Sequence, residues 1–220
     1  QYAPHPVLAG LIDRPGLIRN ILIANAIDAA IMIVLFTARG WPILAFALAG
    51  LFISVFYVAP PLRLKARGLG ELSVFLIWGP IMVCGTYYAA VGRFHPGVLL
   101  ASIPYAFLVT SVLMGKHIDK APWDRREGVK TLPVFLGDRA ALAVTKALLV
   151  GFYVLVVGLV IARFASPWIL VVLFALPTLK KTLDTYSRAK PDAPPPRFPV
   201  WPLWYGPWAF VHSRRAGAFY

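Results

Sequence analysis

The chain has 220 residues, 59% hydrophobic and 14% charged, with a mean hydropathy of +0.71. Soluble domains carry about 25% charged residues, so this composition excludes an ordinary water-soluble domain. The net charge of +13 does not point to nucleic acid: the basic residues sit in short loops between apolar runs, where they meet anionic head groups or diphosphates. The one cysteine, Cys84, excludes a disulfide framework within the chain and reads as a small buried hydrophobe.

A bilayer span needs roughly 20 apolar residues. Six such runs occur in chain order, at Leu17–Ala38, Trp41–Ala59, Glu71–Val91, Gly97–Met114, Ala140–Ala162 and Pro167–Leu179. The last is short and borders a charged turn. Pro80, Pro104 and Pro177 fall inside runs, which bilayer helices tolerate when neighbours satisfy the freed backbone groups. The expected fold is therefore an all-α, polytopic transmembrane helix bundle. Residues 190–202 are too rich in proline for a helix and read as a loop on the cytoplasmic face. Trp201, Trp204, Tyr205 and Trp208 then read as an interfacial aromatic belt, leading towards a further helix beyond the chain.

Charge sets the direction. Arg14 and Arg19 precede the first run, and Arg63, Lys65 and Arg67 follow the second. Lys116, Lys120, Arg125, Arg126, Lys130 and Arg139 follow the fourth, and Lys180, Lys181, Arg188, Lys190 and Arg197 follow the sixth. The opposite loops hold only Arg39, Arg93 and Arg163. The positive-inside rule makes the rich side cytoplasmic. A bacterial inner membrane, with the working loops facing the cytoplasm, is the expected location.

The chemistry concentrates between Lys116 and Gly137, expected as a loop. Asp119 and Asp124 offer carboxylate oxygens to a hard cation such as Mg²⁺. Lys116, Lys120, Arg125, Arg126 and Lys130 offer cations to a diphosphate. A solvated basic loop that only sets topology accounts for these residues equally well. Asn25 and Asp28, one turn apart in the first run, read as interhelical hydrogen-bonding groups. His117 beside Asp119 reads as a polar loop histidine, with proton shuttling the sharper alternative. His5, His95 and His212 fit no pattern. Phe75, Trp78, Tyr87 and Tyr88 suit either a lipid-tail cavity or core packing.

Four stretches carry a further signal: Asp119 and Asp124 with Gly128-Val-Lys-Thr-Leu-Pro-Val and Leu-Gly137; Tyr57-Val-Ala-Pro-Pro-Leu-Arg-Leu-Lys-Ala-Arg-Gly-Leu-Gly-Glu71; Gly79-Pro80 with Gly85-Thr-Tyr-Tyr; and HPVLAGLI from His5. Together they resemble the UbiA superfamily of intramembrane aromatic prenyltransferases. The first resembles its second aspartate-rich motif, the second its loop between helices four and five, the third the helix that follows, and the fourth the stretch after its first aspartate motif. The resemblance implies a bundle around a central lipid cavity and Mg²⁺-dependent transfer of a polyprenyl group from its diphosphate to an aromatic acceptor. Isoprenoid quinone synthesis is the pathway it favours. It implies Asp119 and Asp124 as catalytic metal ligands, and Lys65, Arg63, Lys130 and Tyr57 as diphosphate-binding residues.

The chain also departs from the family pattern. The acids before Tyr57 are Asp13 and Asp28 alone, with no aspartate cluster. Asp119 and Asp124 are five apart where the family often has four, and Lys116 stands where an acid or amide is common. The family typically has nine helices, so residues 1–220 read as one prenyltransferase-like domain, partial at both ends. Two rivals follow. One is an inactive homologue serving as a structural subunit of a membrane complex; the other is a transferase attaching a prenyl tail to a pigment or haem. A transporter is disfavoured, since the charges lie in loops and no paired broken helices occur.

Overall fold

The computed structural model describes residues 6–220; His5, the first residue of the HPVLAGLI stretch, lies outside them. The described residues form eight helices and no β-strand. They are α1 (Arg14–Arg39), α2 (Trp41–Phe56), α3 (Gly70–Val91), α4 (Pro96–Arg126), α5 (Leu132–Leu136), α6 (Asp138–Ile161), α7 (Leu176–Tyr186) and α8 (Tyr205–Phe219). Four of them, α1, α3, α4 and α6, are long and apolar enough to cross a bilayer. The expectation of six helices is too low.

Each long helix has a local cause. Asp13 caps α1: its Oδ1 accepts from Gly16 N at 2.9 Å, and Pro15 starts the first turn. At the far end, Arg39 donates through Nε to Ala89 O at 2.6 Å and through Nη2 to Ala90 O at 2.8 Å. This ties the end of α1 to the end of α3 and occupies carbonyls that the helix leaves free. Within α3 the backbone widens into a π-turn over Ile77–Ile81. Pro80 explains it: it has no N–H to donate and its ring crowds the preceding turn. Gly79 lets this widened turn lie against α4, since a Cβ there would stand 2.5 Å from Ala106 Cβ.

The main correction concerns α4, which does not stop at Met114 but runs on to Arg126. The stretch expected as a loop is helical through Asp119 and Asp124, despite Pro122. His117, Ile118, Ala121 and Asp124 are buried. That spacing is one face of a helix packed against neighbours, and it overrides the polar composition. The helix ends at Glu127, and Gly128 turns the chain in the left-handed region (φ 69°).

The sixth expected span also differs. It starts as a 3₁₀ segment, Pro167–Ala175, and becomes α7 only at Leu176. The proline-rich stretch that follows holds no helix, as its composition predicts. The aromatic cluster after it is not merely an interfacial belt, because Tyr205 and Trp208 belong to α8. Tyr205, Gly206, Ala209, His212 and Ala216 form the buried face of α8. Small residues bring it onto α4: a Cβ on Gly206 would sit 3.2 Å from Lys116 Cα, and one on Gly115 3.0 Å from the Gly206 backbone.

The core lies among α4, α6, α7 and α8. Leu108, Leu149, Phe152, Val156 and Val172 form one buried cluster, and Met114, Ile118, Ala141, Tyr186 and Ala209 another. Helix α1 is peripheral, with Gly16 its only buried residue. Asn25 donates to Ile21 O within α1, and Asp28 is exposed. Neither links helices, contrary to the expectation.

Candidate functional site

The basic loop after α2 and the polar end of α4 meet at one end of the bundle. The loop folds back on itself: Lys65 N donates to Tyr57 O at 3.0 Å, and Leu69 N to Leu64 O at 3.0 Å. Gly70 is required at its close, because a Cβ there would stand 3.2 Å from Lys65 Cα and 3.4 Å from the Tyr57 hydroxyl. Arg63 is exposed on this loop and takes up a left-handed conformation (φ 44°). Burial, with the Glu71 carboxylate adding to it, pushes the Tyr57 phenol up to about 12. Tyr57 is therefore a neutral hydrogen-bonding group at any working pH.

The segment after α4 is pinned to the same loop. Lys130 N donates to Ala66 O at 3.3 Å, and Arg67 and Lys130 form an isolated parallel bridge. The backbone of Lys130 thus holds two loops together while its side chain is exposed. Lys116, one turn before Lys120 on α4, feels the positive charges of Lys120 and Lys65. Like charges from two segments thus gather near Lys116, an arrangement that suits a polyanion.

Beneath this cationic end lies a buried pair. His117 Nδ1 and Glu71 Oε1 are 2.6 Å apart, and Leu132 N donates to Glu71 Oε2 at 3.4 Å. The pair joins α4, α3 and α5 under the loops. Reading His117 as a loop histidine missed this. The available signals were an acid opening an apolar helix and a lone histidine on the apolar stripe of another.

The two aspartates are not brought together. Five residues apart on a helix, they lie about 140° apart around its axis. The Asp119 carboxylate accepts from Trp204 N at 2.8 Å, Tyr205 N at 3.1 Å and Gly206 N at 2.9 Å, with Lys190 Nζ at 4.0 Å. It caps the first turn of α8 from another helix, where the exposed N–H groups and the helix dipole favour an anion. Those donors occupy Oδ2 fully and Oδ1 once, which leaves one lone pair of Oδ1 for a further partner. Asp124 is different. It is buried, and its Oδ2 has no hydrogen-bond partner. A carboxylate oxygen in that state fits a hard cation supplied with further oxygen ligands. Among the described residues no three His, Cys, Asp or Glu side chains come together as a metal-binding group.

Next to the cationic end, an apolar cavity of about 470 Å³ lies between α3, α4 and α8. Val74 and Trp78, Tyr105 and Val109, and Phe210 line it, with Lys116 and Arg214 among its walls. Trp78 thus lines a cavity, whereas Phe75 packs on Phe107 with ring centroids 6.0 Å apart, and Tyr88 donates its hydroxyl to Arg39 O. Tyr87 lines a second apolar cavity of about 380 Å³, with Phe46, Ile81 and Cys84.

Comparison with known proteins accords with this arrangement. The profile described as the UbiA prenyltransferase family matches residues 5–211. The chain is 28% identical over 175 residues to the 1,4-dihydroxy-2-naphthoate octaprenyltransferase of Bacillus subtilis (strain 168), covering 77% of this chain and 56% of that protein. It is 27% identical over 141 residues to the 2-carboxy-1,4-naphthoquinone phytyltransferase of Synechocystis sp. (strain ATCC 27184 / PCC 6803 / Kazusa), covering 64% and 46%. To the 1,4-dihydroxy-2-naphthoate octaprenyltransferase of Mycobacterium tuberculosis (strain ATCC 25618 / H37Rv) it is 36% identical over 110 residues, covering 50% and 37%. The chain spans about half the length of the curated relatives it matches. No solved structure matches it.

Proposed function

The chain belongs to the UbiA prenyltransferase family, and from that premise we propose that the protein transfers a polyprenyl group from its diphosphate to an aromatic acceptor. A dihydroxynaphthoate is the first acceptor to test, since relatives are named for it. The pathway would then be that of an isoprenoid quinone, menaquinone. The observation that carries the reading is the fastening of the basic loop after α2 to the polar end of α4, through Lys130 N on Ala66 O and His117 on Glu71, at one end of an apolar bundle.

The chemistry asks for those two surfaces side by side. The bond between the allylic carbon and the diphosphate oxygen breaks, and its electron pair leaves with the diphosphate. An aromatic carbon supplies the pair for the new carbon–carbon bond and then gives up its proton, which the released diphosphate takes. Lys65 and Lys116 stabilise the charge gathering on the leaving group, and Tyr57 offers a neutral hydrogen bond beside them. Lys130 and Arg63 act from the same loops, Lys130 mainly by holding them together. The apolar walls of α3 and α4 receive the tail and keep water from the allylic cation. Mg²⁺ would neutralise diphosphate charge; Asp124 is the residue best prepared to hold it, and Asp119 anchors α8. The loops work from the cytoplasmic side of a bacterial cell membrane, as the basic loops indicate.

The engagement of Asp119 with α8 keeps a second reading open, that of an inactive homologue serving as a structural subunit of a membrane complex. Membranes carrying the protein, given a polyprenyl diphosphate and a panel of hydroxybenzoate, dihydroxynaphthoate, homogentisate and a chlorophyllide, separate the two. Transfer to one acceptor, lost on chelation of Mg²⁺, supports the enzyme and names its acceptor. No transfer to any from well-inserted protein favours the structural reading.

A further inference from the structure

The basic residues from Lys116 to Lys130 do not share one site. Lys116 is a wall of the apolar cavity between α3, α4 and α8, and Arg125 pairs with Asp138 at 2.5 Å. Lys120 and Arg126 open instead onto another cavity, of about 550 Å³. Asp119, Pro122 and Trp123 of α4 complete its walls, with Pro202 from the loop before α8. Prenyl transfer leaves this cavity without a purpose. Its depth is informative. Lys120 is six residues beyond Met114, where the apolar run of α4 ends, or about 9 Å along the axis. The head-group layer is roughly 5–8 Å thick on each face of a bilayer. Helical side chains lean back towards the N-terminus, which on this end of α4 is the membrane side. Lys120 therefore carries its ammonium into that layer. Arg126 leans the same way, with its guanidinium over the Trp123 ring, 5.5 Å from the ring centre.

The walls are amphipathic. Lys120 and Arg126 bring two positive charges, and Lys116, which feels the charge of Lys120, adds to the local potential. Trp123 is 55% exposed and offers a flat face beyond the hydrocarbon, where interfacial tryptophans gather. The acid in the wall, Asp119, is already engaged. Its side chain is closed to solvent, accepts from Trp204 N, Tyr205 N and Gly206 N, and has Lys190 Nζ 4.0 Å away. Pro202 is held in place, because its carbonyl accepts from Lys190 Nζ. The same ammonium lies 4.9 Å from the centre of the Trp201 ring. Two cations bounded by apolar surface, with hydrocarbon just below, suit a ligand that joins a negative charge to a lipid tail. Basic pockets between membrane helices at this level bind anionic head groups.

We propose that this cavity binds an anionic glycerophospholipid of the surrounding bilayer, with its phosphodiester between Lys120 and Arg126. The glycerol rests on Trp123 and Pro202, and the acyl chains turn back into the hydrocarbon. The lipid bridges the end of α4 and the loop that leads into α8, the two segments that Asp119 also joins. It is a clamp on α8 and not a substrate. The site is separate from the one proposed for the diphosphate, and it stands whether or not the protein transfers a prenyl group.

The test is lipid retention by the purified protein in a neutral detergent, read by native mass spectrometry. The probes are phosphatidylglycerol and phosphatidylcholine with the same acyl chains, which share the phosphate and differ in net charge. Phosphatidylglycerol should be held about tenfold more tightly or better, at about fivefold for each basic residue. Lys120→Gln with Arg126→Gln should remove that advantage and leave phosphatidylcholine unchanged. Arg139→Gln with Lys181→Gln takes two exposed charges from the same end outside the cavity, and should change retention by less than about twofold. Lys120→Arg with Arg126→Lys keeps both charges and should keep the lipid, which separates lost binding from lost fold. Trypsin gives a second readout. Phosphatidylglycerol should slow cutting of the loop that carries Arg188, Lys190 and Arg197 in the unaltered protein, and have no such effect in the Lys120→Gln, Arg126→Gln variant. Equal retention of the two lipids, equal loss in both charge-removing variants, or cutting indifferent to lipid overturns the assignment. Displacement of the lipid by an equal concentration of glycerol phosphate or of pyrophosphate also overturns it. The first would make this a site for free phosphate, and the second would give the cavity to the diphosphate.

Discussion

His117 Nδ1 lies 2.6 Å from Glu71 Oε1, and both side chains are closed to solvent. The two residues are 46 positions apart, on α4 and α3, so the pair fastens two membrane-length helices beneath the basic loops. Removing one partner leaves the other buried without its hydrogen bond. Glu71→Ala or His117→Ala should each destabilise the fold by about 3–5 kcal/mol. The double replacement Glu71→Leu with His117→Leu should cost much less than the sum of the two, because both polar groups are removed together. Thermal unfolding in detergent of the two alanine variants and the leucine pair measures this. Additive losses would show that the pair is not coupled.

Asp119 illustrates what the sequence conveys and what it conceals. Two acids near a basic stretch at the end of an apolar run are legible as a site, and that end of α4 does meet the Tyr57–Glu71 loop. The partner of Asp119 is not legible. Its donors, Trp204, Tyr205 and Gly206, come from a segment 85 or more positions away, at the start of a helix whose polar His-Ser-Arg-Arg stretch argues against a buried position. Apolar periodicity finds the long helices. It misjudges the end of α4 because a buried polar stripe (His117, Asp124) carries no hydrophobic signal. It also cannot foresee that Pro167 and Pro177 divide the sixth run into a 3₁₀ segment and a helix.

The cap formed by Asp119 predicts how α8 is released. Asp119→Ala removes a charged acceptor from three backbone donors, and loss of a cap typically costs about 0.5–2 kcal/mol. The first turn of α8 should loosen, together with the loop that carries Arg188, Lys190 and Arg197. Trypsin should cut this loop faster in Asp119→Ala than in the unaltered protein. Asp119→Asn, which keeps one acceptor oxygen, should fall between them. Equal cutting in all three would show that Asp119 does not hold the helix.

Close contact between α4 and α8 makes a separate prediction at Gly115. A Cβ there would stand 2.3 Å from the Tyr186 hydroxyl and 3.0 Å from the Gly206 backbone. The hydroxyl is itself fixed, donating to Tyr205 O at 3.0 Å. Gly115→Ala must therefore separate the helices or break that hydrogen bond, at a cost of about 1–3 kcal/mol. Gly158→Ala is the control, since nothing lies within 4 Å of its added Cβ. The difference in midpoint of thermal unfolding between the two variants reads the effect.

The phenol of Tyr57, raised to about 12 against an ordinary value of 10.0, predicts a pH effect of known sign. Between those values the folded chain holds a proton that the unfolded chain has released. Stability present below pH 10 should therefore be lost as pH rises towards 12. Tyr57→Phe should flatten the slope of stability against pH in that window and leave the region below it unchanged. An absorbance titration of phenolate, taken as the difference between the unaltered protein and Tyr57→Phe, should place the midpoint well above 10. A midpoint near 10 would mean that Tyr57 is not desolvated beside Glu71.

The proposed division of labour at the cationic end separates two kinds of kinetic loss. Lys65 is assigned to diphosphate alone, so Lys65→Ala should raise the KM for the polyprenyl diphosphate more than that for the acceptor. Asp124 is assigned to the metal. Asp124→Ala should abolish turnover in protein that still inserts, whereas Asp124→Glu, which keeps a carboxylate, should keep some turnover and need more Mg²⁺. If Asp119→Asn left turnover largely intact while Asp124→Asn removed it, the two carboxylates would be divided as the geometry suggests, one on α8 and one on the cation. The reverse result would return Asp119 to the metal, through the lone pair of Oδ1 that α8 leaves free.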